Sequence, residues 1–84
     1  MDTFLGSLML VPYNFAPRGW QFCQGQLLPI SQNTALFALI GNTYGGDGKT
    51  TFALPDLRAN AITDANGGAL TWIIALEGIF PARD

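Results

Sequence analysis

The two longest apolar stretches lie near the two ends of the chain and predict its main strands. Phe4 to Val11 has apolar side chains at odd and even positions alike and stops at Pro12, which predicts a strand buried on both faces. Leu70 to Phe80 is rich in Trp, Ile and Leu and predicts a closing strand. Gly78 within it is expected to be a bulge or a point of close backbone approach.

Two shorter segments after the first strand predict a hairpin. A loop over Pro12 to Gly19 leads into Trp20 to Cys23, and a second strand-length segment follows over Gln26 to Ile30. Gln24-Gly25 joins the two segments, and Gly25 can take the positive φ that a tight turn requires.

One short helix is predicted next, over about residues 32–40. Ser31 is the expected N-cap, apolar residues recur within Thr34 to Ile40, and Gly41 is placed to end the helix. A glycine-rich loop over residues 42–49 follows.

The remaining segments complete a β-rich α+β fold. Thr50 to Leu54 predicts a short extended segment that stops at Pro55. Residues 58–68 lack periodicity and predict an irregular connection to the closing strand. Eighty-four residues suffice for one domain, so we expect residues 1–84 to form a single unit.

Composition makes the surface of this domain unusual. Hydrophobic residues make up 49% of the chain and charged residues 12%, about half of the ~25% that is usual in soluble domains. A chain of this length buries only about 60–65% of its unfolded surface. Apolar side chains are therefore expected on the surface, where they favour self-association. The alternative is a monomer with a neutral surface of Gln, Asn, Thr and Ser.

The charge pattern argues against nucleic-acid and membrane partners. The net charge is −2, and the basic residues are scattered along the chain as Arg18, Lys49, Arg58 and Arg83. No basic patch is available for phosphates or for anionic lipid. The N-terminus carries an acid instead of the basic residues of a signal peptide, and no apolar stretch reaches membrane-spanning length. We expect synthesis in the cytoplasm, without a signal peptide.

Residues for catalysis and for cofactor or metal binding are sparse. The chain has no histidine, which excludes Ser/His and Cys/His catalysis and His-based metal sites. Cys23 is the single cysteine and is expected to pack as a small hydrophobic residue. No enzyme activity, cofactor or metal is expected. The carboxylates are far apart in sequence: Asp2, Asp47, Asp56, Asp64, Glu77 and Asp84.

The glycine-rich loop ends like a phosphate-binding loop but lacks its spacing. That motif requires a glycine five residues before the Gly-Lys glycine, and Thr43 occupies this position relative to Gly48. Asp47 could contribute to a cation site, although one carboxylate is a weak basis for calcium. A turn in which backbone approaches backbone is the favoured interpretation.

An ordered series of motifs between Phe15 and Arg58 carries a family resemblance. It comprises Ala16-Pro17-Arg18-Gly19-Trp20, Phe22-Cys23-Gln24-Gly25-Gln26, Leu28-Pro29-Ile30, Asn33-Thr34-Ala35-Leu36-Phe37, Thr43-Tyr44-Gly45-Gly46-Asp47-Gly48 and Thr51-Phe52-Ala53-Leu54-Pro55-Asp56-Leu57-Arg58. The series strongly resembles the phage tail-collar domain, which is also met in the microcystin-dependent-protein family. Ala75 to Arg83 is similar to the closing strand of that family.

The resemblance implies a compact β-rich domain of trimeric phage tail fibres or related assemblies, located in a virion, a tail-like particle or an extracellular fibre. It implies no catalytic residue. Trp20 and Phe22 would anchor the core, and Asp56 and Arg58 would cap backbone groups or pair with each other; alternatively, Trp20 or Arg58 would contact a ligand. The motif residues expected to act as scaffold are Pro17, Gly19, Trp20, Gly25, Gly45, Gly46, Pro55, Asp56 and Arg58.

Three departures from the family pattern accompany the resemblance. Gln24-Gly25 stands where relatives usually have Asp-Gly, and Ala59 stands where they usually have Gly. Relatives also carry a long stretch before the closing strand, whereas only residues 59–69 intervene here. The chain therefore resembles an assembly core without a distal variable region.

Two functions follow as hypotheses. The first is a structural protein that assembles with itself, as a homotrimer or an open filament, and with other tail or baseplate proteins. Its candidate assembly strands carry Leu8, Leu10, Trp72, Ile74 and Leu76. The second is a receptor- or glycan-binding module at a tail tip, in which exposed rings stack on the ligand. Its candidate rings are Tyr13, Trp20, Tyr44 and Trp72.

Overall fold

The computed structural model describes residues 3–60, 62–63 and 65–82. The carboxylates of Asp2, Asp64 and Asp84 and the guanidinium of Arg83 lie outside the described residues. The strands are β1 (Leu8–Val11), β2 (Trp20–Phe22), β3 (Leu27–Pro29), β4 (Thr51–Ala53), β5 (Ile62–Thr63) and β6 (Ala69–Ala75). Helix α1 spans Thr34–Ile40, and 3-10 helices span Ile30–Gln32 and Arg58–Asn60. The expected β-rich α+β fold is confirmed.

Strand β6 is the centre of the larger sheet. The sheet is antiparallel with the order β1-β6-β2, and β5 also pairs with β6. Ile73 and Ile74 are both buried, although successive strand residues point to opposite faces. Strand β6 is therefore buried on both faces at its carboxyl end, over Ile73 to Ala75. A second, two-stranded sheet joins β3 to β4.

The expected burial of the first strand on both faces is wrong. The strand begins at Leu8, because Gly6 adopts a φ of 81° and turns the chain after Phe4. Leu8 and Met9 are each 47% exposed, whereas Val11 is buried. The physical reason is position: β1 is an outer strand of the sheet, and its partner β6 takes the protected place.

The expected hairpin at Gln24-Gly25 is also wrong. Strand β2 pairs with β6 and β3 pairs with β4, so the turn carries the chain from one sheet to the other. Gly25 does adopt the positive φ expected of it, at 74°. Its N–H donates to Pro55 O at 3.3 Å, and Gln24 forms a β-bridge with Asp56. The distant segment around Pro55 therefore replaces a local hairpin partner.

Helix α1 lies where the sequence predicts it, but its start differs. Ser31 is not the N-cap, because it falls within the preceding 3-10 helix. Asn33 occupies the cap position, and its side-chain amide donates to Pro29 O at 3.0 Å instead of accepting a helix N–H. Gly41 ends the helix as predicted, with a φ of 59° and its N–H donating to Phe37 O at 2.7 Å.

The connection before β6 is more regular than expected. It contains the second 3-10 helix and strand β5, which pairs with the start of β6 through Ile62 and Leu70. Strand β6 itself ends at Ala75, and the chain turns before Gly78. A Cβ at Gly78 would collide with the carbonyl oxygen of Thr3, so close backbone approach is the correct alternative there.

The main core lies on one face of the larger sheet. Its buried members are Leu5, Cys23, Leu36, Phe52, Leu54 and Ile74. Phe37 packs on the fully buried Phe52 with ring centroids 5.4 Å apart. Trp20 and Phe22 do not anchor this core, because they pair with Ala75 and Ile73 and so share the opposite face from Ile74. Both aromatic side chains are half-buried there.

Candidate assembly interface

The glycine-rich loop is organised by the carboxylate of Asp47. Its Oδ1 accepts backbone N–H groups of Lys49 and Thr50 at 2.8 Å each and of Thr51 at 3.0 Å. The Thr50 hydroxyl donates to Oδ2 at 2.9 Å. These backbone donors, with the hydroxyl, hold the pKa of the Asp47 carboxyl well below its usual range. The loop is thus a closed turn around the carboxylate.

Gly45 and Gly46 bring this loop against β4. The carbonyl oxygen of Gly45 accepts the N–H of Ala53 at 3.0 Å. Gly46 adopts a φ of 91°, and a Cβ there would lie 2.5 Å from Phe52 Cα and 2.7 Å from Thr51 O. Only glycine satisfies both the conformation and the space at this point.

Asp56 and Arg58 form a closed pair on the surface. Arg58 donates from Nε to Asp56 Oδ1 at 2.9 Å and from Nη2 to Oδ2 at 2.7 Å, and its backbone N–H also donates to Oδ1 at 3.2 Å. Pairing and backbone capping therefore occur together. The Arg58 side chain and, next, its backbone N–H lower the pKa of Asp56 to about 2. Because both side chains are exposed, solvent screens their attraction.

The other motif residues connect separate parts of the fold. Trp20 N–H donates to Pro17 O at 2.9 Å, and Gly19 O accepts the N–H of Leu76 at 2.8 Å. The first bond closes the loop before β2, and the second fastens that loop to the end of β6. The motif residues thus fall into three groups: Gly45 and Gly46 at β4, Pro17, Gly19 and Trp20 at the end of β6, and Gly25, Pro55, Asp56 and Arg58 at the crossing between the sheets.

Cys23 belongs to the core, as the sequence predicts. Its side chain is buried in the main cluster with Leu54 and Ile74. Burial raises the pKa of the Cys23 thiol to about 11, so the thiol is protonated at neutral pH. Within the described part of the chain, no group of three or more His, Cys, Asp or Glu side chains could hold a metal ion.

The candidate assembly side chains differ in their accessibility. Leu8 lies opposite Ile74 and Leu10 opposite Trp72, so the four share one face of the sheet. Leu8 is exposed, Leu10 and Leu76 are half-buried, and Ile74 is buried. Since β6 pairs with β1 and β2, it presents no free edge for another chain. Of the two candidate strands, β1 is the one at the outside of the sheet.

The candidate stacking rings also fall into two classes. Tyr13 and Tyr44 are exposed, and Tyr13 stacks on Phe15 with ring centroids 4.5 Å apart. Trp72 is half-buried against the main core. Trp20 is half-buried and lines a groove with Arg18 and Glu77. The tyrosines are therefore the freer of the four candidate rings.

Several exposed apolar side chains were not singled out by sequence reasoning. They include Phe4, Met9, Phe15, Leu27, Ile62, Ile79 and Phe80. The low charge content predicted such a surface, but burial depends on tertiary packing, so no local signal distinguishes these positions. The accessible surface is 5672 Å², against about 4,900 Å² for a typical folded monomer of this mass.

Within the described ranges, no helix has the length and apolar character needed to cross a bilayer.

Comparisons with known proteins place these features in a family. A search of curated proteins found no match. The family model for the phage tail collar domain matches residues 6–62, which is more than half of the chain and includes every motif residue of the three groups above. The chain therefore belongs to the phage tail collar domain family, whose role in phage tails is structural.

Proposed function

We propose that this chain is a self-assembling structural protein of a phage tail or a tail-fibre-like particle, as a homotrimer or an open filament. The observation that carries the proposal is the set of large apolar side chains left on the surface, among them Phe4, Leu8, Leu27, Ile79 and Phe80. Contact with another chain would remove the apolar surface of these side chains from water, which is favourable.

The amount of exposed surface supports the same proposal. The accessible area of 5672 Å² exceeds the value for a typical monomer of 9.0 kDa by roughly 800 Å². A stable interface of standard size buries about 800 Å² on each partner. Assembly that covers about 800 Å² of each chain in total would therefore bring it to the exposure of a typical folded monomer.

The proposed setting is a virion or tail-like particle, reached after synthesis in the cytoplasm. Residues 1–84 act there as a single unit, with other tail or baseplate proteins as further partners. A role without catalysis fits the described side chains: the thiol of Cys23 is buried and protonated, and the carboxylates of Asp47 and Asp56 already accept several hydrogen bonds each.

The test is the mass of the purified chain in solution. Size-exclusion chromatography with light scattering, at tens of micromolar, is expected to give a mass of three chains or more. Negative-stain imaging then separates discrete particles from fibres. A homogeneous 9.0 kDa species over the whole concentration range would contradict the proposal.

Receptor or glycan binding is the second candidate, favoured by the exposed aromatic pair of Tyr13 and Phe15. A flat aromatic surface suits the apolar face of a sugar ring or a protein side chain. The check is a glycan array with the unmodified chain and with Tyr13→Ala. Binding that is lost in the variant supports a reader at this loop, and no binding by the unmodified chain argues against it.

A further inference from the structure

A small cavity lies at the amino end of β6. It has a volume of about 250 Å³ and is lined by apolar residues together with three polar ones: Cys23, Leu57, Ala69, Leu70 and Trp72, with Gln24, Arg58 and Thr71. Arg58 is the charged residue in the lining, and its guanidinium is already paired with Asp56. Because most of the lining is apolar, the cavity favours an occupant that is largely apolar and uncharged, and Gln24 and Thr71 add polar groups to its wall.

The size of the cavity indicates what kind of group it can hold. Small-molecule sites usually measure about 300–1,000 Å³, which is larger than this cavity. An apolar cavity of about 150 Å³ is enough for benzene. The space of about 250 Å³ therefore matches one aromatic side chain together with part of a neighbour.

An exposed apolar pair, the Phe4–Ile79 projection, lies beside a groove at the other end of β6. Phe4 and Ile79 are partners in a parallel β-bridge, and their side chains are 56% and 47% exposed. The bridge is held by the N–H of Leu5 donating to Ile79 O at 2.9 Å and the N–H of Ile79 donating to Thr3 O at 2.8 Å. Because the backbone is already ordered, burying this pair costs little conformational entropy.

The cavity and the projection cannot meet within one molecule. Thr3 and Ile79 line a groove with Gly19 and Trp20, and Trp20 pairs with Ala75 at the carboxyl end of β6. The cavity lies beside Ala69 at the amino end. The lining extends from Ala69 to Trp72, so three to six residues of strand, about 10–20 Å, separate the cavity from the level of Ala75. A contact between them must therefore involve two copies and two different surfaces.

We propose that the Phe4–Ile79 projection of one copy enters the β6 cavity of the next copy, in a head-to-tail contact. This inference rests on the proposed self-assembly and specifies its interface. A contact between two different surfaces gives a closed ring when the rotation between copies closes, and a filament when it does not. The low net charge of −2 leaves little repulsion between stacked copies.

The experiment uses two variants that block opposite ends. Phe4→Asp places a charge on the projection, and Ala69→Trp fills the cavity from within its own chain. For each variant alone, the protein concentration at which half of the chains are assembled should rise about tenfold or more, as expected for loss of a central apolar contact. Mixed in equal amounts, the two should form a heterodimer, because each keeps one functional end. Phe15→Asp is the matched control: Phe15 is 59% exposed but belongs to neither end, so its assembly should be unchanged.

The possible results separate this inference from the proposed function. A monomeric unmodified chain would overturn both. Normal assembly by both variants, or monomers that stay monomeric when mixed, would overturn only the head-to-tail contact. Equal loss of assembly in Phe15→Asp would show that an added charge anywhere on the surface dissociates the protein. That result would also count against the head-to-tail contact. Circular dichroism checks the fold, and Ile79→Ser and Ala69→Arg replace any variant that does not fold.

Discussion

At the scale of single residues, Gly46 is constrained both by its positive φ and by its contact with the β4 backbone. Gly46→Ala is expected to destabilise the protein by about 3 kcal/mol or more, because a positive φ is combined with overlap onto the β4 backbone. Gly67→Ala is the control: its φ is also positive, at 83°, but a Cβ there meets nothing within 4 Å. It should cost only about 1–2 kcal/mol. Urea denaturation at one protein concentration measures both, and equal losses would contradict the packing argument.

Asp47 gives a residue-scale prediction for pH. Its pKa is lowered in the folded state, so its carboxylate stabilises the fold fully above the unfolded pKa of about 3.9. That contribution disappears as the pH falls below this value towards the folded pKa. Asp47→Asn should therefore lower the midpoint of urea denaturation at pH 6, and the difference from the unmodified chain should shrink towards pH 2. A difference that stays constant with pH would mean that the ionised carboxylate is not the cause.

At the scale of elements, β6 and β1 show how unequal two apolar strands can be. Ile73 and Met9 lie directly opposite each other on one face, yet Ile73 is fully buried and Met9 is exposed. Ile73→Ala should cost about 2–5 kcal/mol in free energy of unfolding. Met9→Ala should stay within about 1 kcal/mol, as for other partly exposed positions. Similar values for the two, measured by chemical denaturation, would contradict the central place of β6.

The elements also show which structural features are legible in the sequence. Helix α1 and its end at Gly41 are set by local signals, namely apolar spacing and a glycine at the C-terminus, and both were predicted correctly. The hairpin was predicted wrongly because Gly25 specifies only its own backbone conformation. The partners of β2 and β3 are β6 and β4, which lie far away along the chain. Likewise, the motif residues form an ordered series that the sequence displays directly, whereas the placement of the exposed Phe4 and Ile79 depends on a bridge between the two chain ends.

At the scale of the whole molecule, the proposed assembly depends on apolar contacts, and this gives it a distinctive response to temperature and salt. Hydrophobic association weakens on cooling, and sulfate strengthens it. Charge pairs weaken instead as sodium chloride screens them. Cooling from 25 °C to 4 °C should therefore shift the protein towards smaller species, and raising sodium chloride from 50 to 500 mM should leave their distribution nearly unchanged. Light scattering after chromatography at each condition provides the measurement.

Arg18→Gln tests the same point by substitution. Arg18 lies with Glu77 in the groove beside the projection. If the contact is apolar, loss of this charge should not affect assembly. Dissociation by sodium chloride, or by this substitution, would instead assign the contact to charged side chains such as Arg18 and Glu77.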